Sequence, residues 1–236
     1  MNIKAILFDL DGTLLPMQQE SFVKAYFGSL AKHLAEFGYK PEQLINSIWA
    51  GTKAMVKNNG ILTNEQVFWN SMAEIYGDKV KNDIPKFDEY YVKYFDSVKQ
   101  VCGFDNDAKK VVDIVRGKGI KVALATNPIF PKIATEKRIA WAGLKPEDFE
   151  FYTTYENCNH CKPNVEYYKD ILNKLNIAPE NCLMVGNDVS EDMIASEIGI
   201  NCFLLTDCLI NKENKNINNL PKGNFKDLIN YLENNI

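Results

Sequence analysis

Arginine is nearly absent: Arg116 and Arg138 are the only two in a chain that carries 27 lysines and arginines together. A bound phosphate would have to be held by lysine, backbone amides, hydroxyls or a metal, rather than by guanidinium forks. A basic face is missing too, because 31 acidic residues leave a net charge of −4. Nucleic acid is therefore not expected as a partner, since phosphate backbones call for a positive surface. Long apolar runs are also lacking. The N-terminal stretch Ala5–Phe8 is far shorter than a signal-peptide core or a spanning helix. The expectation is a cytoplasmic protein with no membrane partner. No Asn-x-Ser/Thr acceptor occurs despite many asparagines. The six cysteines (Cys102, Cys158, Cys161, Cys182, Cys202 and Cys208) are read as reduced thiols rather than a disulfide framework.

The composition that remains is that of a globular chain, 46% hydrophobic and 25% charged over 236 residues. Such a length suggests roughly one and a half domains. From about residue 102 onward, short apolar segments (121–125, 148–153, 182–185, 200–204) alternate with helical ones (107–118, 132–141, 165–175, 190–197, 225–232). That alternation predicts an α/β domain, a Rossmann-like doubly wound parallel sheet with right-handed crossovers. Ala5–Phe8 is one more strand of it. Residues 17–99 read as purely helical. Phe22, Tyr26, Leu30, Leu34 and Phe37 recur at helical spacing, Pro41 opens a second helix, and Thr63 with Gln66 forms a capping box. The expected organisation is a catalytic core from 1–16 and 100–236, interrupted by an all-helical cap domain over 17–99.

Chemistry concentrates in Asp9-Leu10-Asp11-Gly12-Thr13, at the carboxyl end of the first strand, where open α/β sheets bind ligands. Gly12 permits a sharp turn, so that both carboxylates can face one pocket. Two close carboxylates suit a divalent cation with oxygen ligands, Mg²⁺ above all. One aspartate can then serve as nucleophile and the other as general acid and base. Four fixed positions at about 5% usage each arise by accident in a chain of this length on the order of once in a thousand.

With these residues the chain resembles the haloacid dehalogenase-like hydrolase superfamily, and within it the phosphatase-type members whose helical cap follows the first motif. Three further elements carry the resemblance in the right order. They are Thr126 after the 121–125 strand, Lys162 in Cys161-Lys162-Pro163-Asn164, and the paired Asp188 and Asp192 in the loop after 182–185. The resemblance covers 1–16 and about 100–236. It implies Mg²⁺ held by Asp9, the Asp11 carbonyl and Asp188, with Asp192 orienting Lys162 or metal-bound water. Asp9 would be the nucleophile, Asp11 the general acid and base, and Thr126, Asn127 and Lys162 the contacts to the phosphoryl group. The implied reaction is hydrolysis of a phosphate monoester of a small phosphorylated metabolite, in the manner of a phosphoglycolate phosphatase, by a monomer or homodimer. Asn187, directly before Asp188, departs from the glycine more usual in the family.

Rival readings follow from the same scaffold. A dehalogenase would not need Asp11, because a halide leaves without a proton. A phosphonatase would use a cap lysine such as Lys53 or Lys57, and a phosphosugar mutase would return the phosphoryl group to its sugar. A non-enzymatic phospho-accepting or binding module is the alternative of a different class. Trp49, Trp69 and the cap tyrosines are read as core in preference to a substrate platform. Lys53 is read as solvated, and Cys158-x-x-Cys161 lacks the second ligand pair that a structural zinc site requires.

Overall fold

The computed structural model describes residues 2–235. Six parallel strands form one sheet in the order β3-β2-β1-β4-β5-β6. They are β1 (Ala5–Phe8), β2 (Lys121–Leu124), β3 (Phe151–Tyr152), β4 (Cys182–Gly186), β5 (Asn201–Leu205) and β6 (Lys222–Gly223). The chain winds outward from β1 in one direction through β2 and β3. It then returns to the other side of β1 for β4 to β6. This is the expected doubly wound α/β sheet, and its switch point lies beside β1. All four β1 residues are buried, as a strand covered on both faces requires. Ile6 and Phe8 join one apolar cluster, which takes in Val111, Val115 and Leu228, while Ala5 and Leu7 join another with Tyr167, Tyr168 and Ile171. The two clusters are the two faces of the pleat.

The helices that cover these faces are α5 (Asn106–Gly117), α6 (Lys132–Trp141), α7 (Val165–Leu175) and α8 (Phe225–Asn235); they are numbered after the four that lie between β1 and residue 100. Those four are α1 (Gln19–Ala35), α2 (Pro41–Val56), α3 (Asn64–Tyr76) and α4 (Ile84–Lys93). On α1 the buried positions Phe22, Tyr26, Leu30 and Leu34 make the stripe that their spacing implies. The capping box at α3 is formed: Thr63 Oγ1 accepts from Gln66 N at 3.2 Å, and Gln66 Oε1 accepts from Thr63 N at 3.0 Å. The two connections to the helical segment run side by side, with Met17 bridged to Cys102 and Gly103 N donating to Pro16 O at 2.6 Å. Among the described residues no helix is long and apolar enough to cross a membrane.

Two expected elements differ. The 148–153 segment is a 3₁₀ turn (Pro146–Asp148) followed by the two-residue β3, and the short edge strand β6 was not foreseen. The expected helix over 190–197 is instead a pair of tight turns leading into a 3₁₀ segment, Met193–Ile198. The cause is local. Asp188 Oδ1 accepts from the amides of Ser190 and Glu191 at 2.7 and 2.9 Å, bonds that compete with an α-helical ladder.

A single buried asparagine ties the helical segment to the sheet. Asn64, 0% exposed at the start of α3, directs its Nδ2 at Pro128 O, His160 O and Cys161 Sγ, all within 3.2–3.3 Å. Its Oδ1 accepts from Asn58 Nδ2 at 2.9 Å. Replacing Asn64 by Leu strands these buried groups. We expect a loss of about 3 kcal/mol, from a cost of about 1–3 kcal/mol for each buried group left unpaired. The loss is read as a lower urea midpoint at unchanged slope; a midpoint that stays put would show that the contact carries no load.

Candidate active site

Beyond β1 the chain turns at Gly12, whose φ of +85° is the left-handed conformation that favours glycine. A Cβ there would lie 2.3 Å from Asn187 Nδ2, so Gly12 and Asn187 fit one another. Asn187 is buried and fixed: its Nδ2 donates to Cys208 O at 2.7 Å, which leaves Oδ1 facing the Thr13 hydroxyl at 3.0 Å. The same hydroxyl lies 3.1 Å from Asp9 Oδ2, so its one proton serves one partner at a time. The departure at Asn187 thus stitches the loop after β4 to the loop after β1.

Lys162 is the centre of the site. It is 1% exposed, and its Nζ donates to Asp9 Oδ1 at 2.9 Å and to Asp192 Oδ1 at 2.6 Å. Burial works against its charge, but the carboxylates of Asp192 and Asp9 outweigh it and raise its pKa well above that of an ordinary lysine. Burial likewise raises the Asp192 carboxyl, against the pull of Lys162. Asp192 Oδ2 accepts from Asp188 N at 2.9 Å, so one side chain fixes both the lysine and the next acidic residue. Two tyrosines of α7 close the arrangement from below. Tyr167 donates to Thr126 O at 2.8 Å, and Tyr168 donates to Glu191 O at 2.7 Å.

Asp11 has a cation of its own, which sequence reasoning missed. Arg138 Nη1, on α6, pairs with Asp11 Oδ2. Arg138 is 1% exposed, and its guanidinium lies 4.4 Å from the centre of the Phe130 ring. Asp11 Oδ1 is buried with no hydrogen-bond partner. Burial raises the Asp11 carboxyl, with Arg138 opposing and Asp9 reinforcing the shift. The signal in the sequence was slight: a lone arginine flanked by Thr135 and Ile139, both on the buried side of α6.

These groups share a cavity of about 200 Å³ between the sheet and helices α1 to α4. Asp9, Asp11, Thr126, Asn127, Asp188 and Asp192 all line it, while Lys162 sits beneath through its bonds to Asp9 and Asp192. Asn127 is only partly available, because its Nδ2 donates to Glu191 Oε2 at 3.0 Å. Glu191 is a further lining residue that the sequence did not single out. Lys53 and Lys57 are exposed on and just after α2, and it is Thr52 that lines the cavity. Of the aromatics expected as core, Tyr26, Trp69 and Tyr91 are buried in the apolar cluster and also border the cavity, while Trp49 is half exposed on its wall.

Among the described residues no three His, Cys, Asp or Glu side chains converge as a ready-made metal cluster. The donor chemistry nonetheless fits a hard cation. Asp9, Asp11, Asp188, Glu191 and Asp192 crowd one end of the cavity, against only Lys162 and Arg138. Surplus carboxylate oxygen, including a buried atom with no donor, is the environment that Mg²⁺ takes.

Comparison with known proteins bears on the family and the fold. A family model described as a hydrolase, haloacid dehalogenase-like hydrolase, matches residues 3–197. A protein of Caldanaerobacter subterraneus subsp. tengcongensis, provisionally named pyrophosphatase PpaX, is 25% identical over 204 residues, spanning 85% of this chain and 80% of that protein. A 2-haloacid dehalogenase of Pseudomonas syringae pv. Tomato DC3000 superposes with a TM-score of 0.63 at 18% identity, covering 98% of this chain and 99% of that one. A phosphatase structure from Thermococcus onnurineus gives 0.59 at 18% identity over 98% of each. At such identities the structural likeness speaks to the fold.

The buried triad yields a stability test. Lys162→Met leaves Asp9 and Asp192 without their cation and should cost about 3–5 kcal/mol in urea unfolding. Adding Asp192→Asn to the same chain should return part of that loss, because one of the stranded charges is gone. Additive losses in the double-mutant cycle would show that the two residues are not coupled.

Proposed function

The chain belongs to the haloacid dehalogenase-like hydrolase family, and from that premise we propose that it is a Mg²⁺-dependent phosphatase acting on a small phosphate monoester through an aspartyl-phosphate. The observation that carries this reading is Asp11, a second carboxyl lining the same cavity as Asp9 two residues away. A halide departs without a proton, whereas an alkoxide leaving from phosphorus needs one. Lys53 and Lys57 stand away from the cavity wall, so a lysine-dependent phosphonatase draws no support from the cap.

In the proposed reaction an Asp9 carboxylate oxygen attacks phosphorus and the bond to the leaving oxygen breaks. Asp11 gives that oxygen its proton. The resulting Asp11 carboxylate then takes a proton from water as the water attacks the aspartyl-phosphate, releasing inorganic phosphate and restoring Asp9. Lys162 holds Asp9 in place through the 2.9 Å bond. Asp192 keeps Lys162 from swinging away, which makes it a positioning residue. Thr126 offers its hydroxyl to the phosphoryl oxygens, since Asn127 has committed its Nδ2 to Glu191. Asp9, the Asp11 carbonyl and Asp188 would hold the Mg²⁺. Its contribution is to neutralise charge on the phosphoryl oxygens and on the crowded carboxylates.

Phosphate release from a panel of monoesters tests this. Chelation with EDTA should abolish turnover and added Mg²⁺ should restore it. Asp9→Asn should lower kcat by a factor of at least about 10³, on the scale of losing a nucleophile that acts as part of a unit. Asp11→Asn should cost about 10²–10⁴ on alkyl phosphates. It should cost much less on p-nitrophenyl phosphate, whose leaving group needs little protonation. A fully active Asp9→Asn would sink the proposal.

A further inference from the structure

The cavity is built from two unlike halves. Its floor holds the carboxylates and, beneath them, the cations Lys162 and Arg138, both engaged in ion pairs. Its upper wall is aromatic: Phe22 from α1, Trp49 from α2, Phe68 and Trp69 from α3, and Tyr91 from α4, with Phe130 opposite. The rings are set edge to face, with Phe68 and Trp69 at 87° and 5.2 Å between centroids. Such a wall offers both ring faces and ring edges to a flat guest.

What the wall lacks is as informative. Among the described residues no lysine, arginine or histidine lines the cavity, and the one charged residue of helices α1 to α4 that does is Asp88. A leaving group bearing a carboxylate or a second phosphate would bring its charge against Asp88 and aromatic faces, with no cation to meet it. A sugar would need several hydrogen-bond partners. The hydroxyls of Tyr26 and Tyr91 are already 2.7 Å from each other, and Gln19 and Thr52 are among the few polar groups left on that side. A polyhydroxyl group placed here would leave buried polar atoms unpaired.

Size narrows the choice further. A cavity of about 150 Å³ suffices for benzene, and drug-sized ligands occupy about 300 Å³ or more. At about 200 Å³, the cavity has room for one ring beside the phosphoryl site.

We propose that the leaving alcohol is a single flat, apolar ring system with no anionic group, so that the substrate is the phosphate monoester of an aromatic or arylalkyl alcohol. This rests on the phosphatase reading and adds the substrate class to it. The recognition is by the cap wall, and the floor supplies chemistry common to any monoester.

The test pairs turnover with binding. Benzyl phosphate, phosphoglycolate, glucose 6-phosphate and inorganic pyrophosphate are compared as substrates with Mg²⁺ present. Benzyl phosphate should exceed each of the others at least tenfold in kcat/KM. Trp49 is 50% exposed, so its truncation should leave the fold intact. Trp49→Ala should raise KM for benzyl phosphate about tenfold with little change in kcat, and Trp49→Phe should recover most of the loss. Ile61→Ala, at a position 78% exposed and outside the cavity lining, serves as the control and should change neither constant. A preference for phosphoglycolate or glucose 6-phosphate, or a Trp49→Ala variant with unchanged KM, would overturn the inference while leaving the phosphatase reading standing, whereas a preference for pyrophosphate, an anhydride and not a monoester, would overturn both. Failure of all four to turn over would instead overturn the phosphatase reading. Binding then decides the pocket: benzyl phosphate and phosphoglycolate are titrated into Asp9→Asn by tryptophan fluorescence. Benzyl phosphate should bind at least tenfold tighter, and equal or weaker binding would overturn the ring-pocket assignment on its own.

Discussion

Everything around the site conforms to one buried ammonium. Lys162 lies between Asp9 after β1 and Asp192 after β4, and so joins two neighbouring strands' ends to the loop that leads into α7. Taking these charges out of water costs several kcal/mol for each ion, and only a complete set of bonds offsets it. The surroundings supply that set. Asp192 uses its second oxygen on the Asp188 amide, Thr13 approaches the second oxygen of Asp9, and the α7 tyrosines hold the carbonyls of Thr126 and Glu191. Gly186 belongs to the same constraint, since a Cβ there would fall 2.1 Å from Asp192 Oδ2. The residues proposed for chemistry come from four separate stretches of chain. The lysine and the α7 hydroxyls give them one common frame.

The helical segment over this frame is held by packing and by polar ties of the same buried kind. Its residues Phe22, Tyr26 and Phe95 share one continuous apolar cluster with Ile6 and Phe8 of the sheet. Asn64 adds direction to that contact, because its hydrogen bonds reach the loops that also carry Phe130 and Lys162. The cavity lies where this packing stops. Its walls are therefore the faces of helices whose opposite neighbours are sheet loops rather than side chains of a filled core.

This explains what was legible in the sequence. Asp9, Asp11 and Gly12 could be read directly because they are contiguous and their chemistry follows from residue type. Thr126, Lys162, Asp188 and Asp192 needed the family's order, since each alone is an ordinary polar residue at a strand end or in a loop. The alternation of strand and helix gave the doubly wound sheet. It misjudged 190–197, where carboxylate-to-amide bonds override helical spacing. Arg138 and Glu191 were not found, and Asn187 stood out only as a departure, because their importance comes from burial and from partners more than 60 residues away in Asp11, Asn127 and Thr13. Tyr26, Trp69 and Tyr91 are core as expected, and what spacing could not show is that they also border the cavity. Spacing shows which face of a helix is apolar and does not show whether that face meets other side chains or empty space.

The scarcity of arginine can now be placed in the structure. Of the two, Arg116 pairs with Asp148 near the surface at 2.6 Å, and Arg138 is buried against Asp11. Neither lines the cavity. Lysine is abundant on helices α1 to α4, yet among the described residues none lines the cavity. The cation distribution therefore separates two tasks. Positive charge is confined beneath the floor, where it holds the carboxylates of Asp9, Asp11 and Asp192, whose placement does not depend on the rest of the ligand. The wall above carries shape and aromatic surface, with one carboxylate. Under the proposed function, helices built this way would discriminate by the form and charge of the alcohol they cover, while the groups around Asp9 would respond only to the phosphoryl end that every monoester presents.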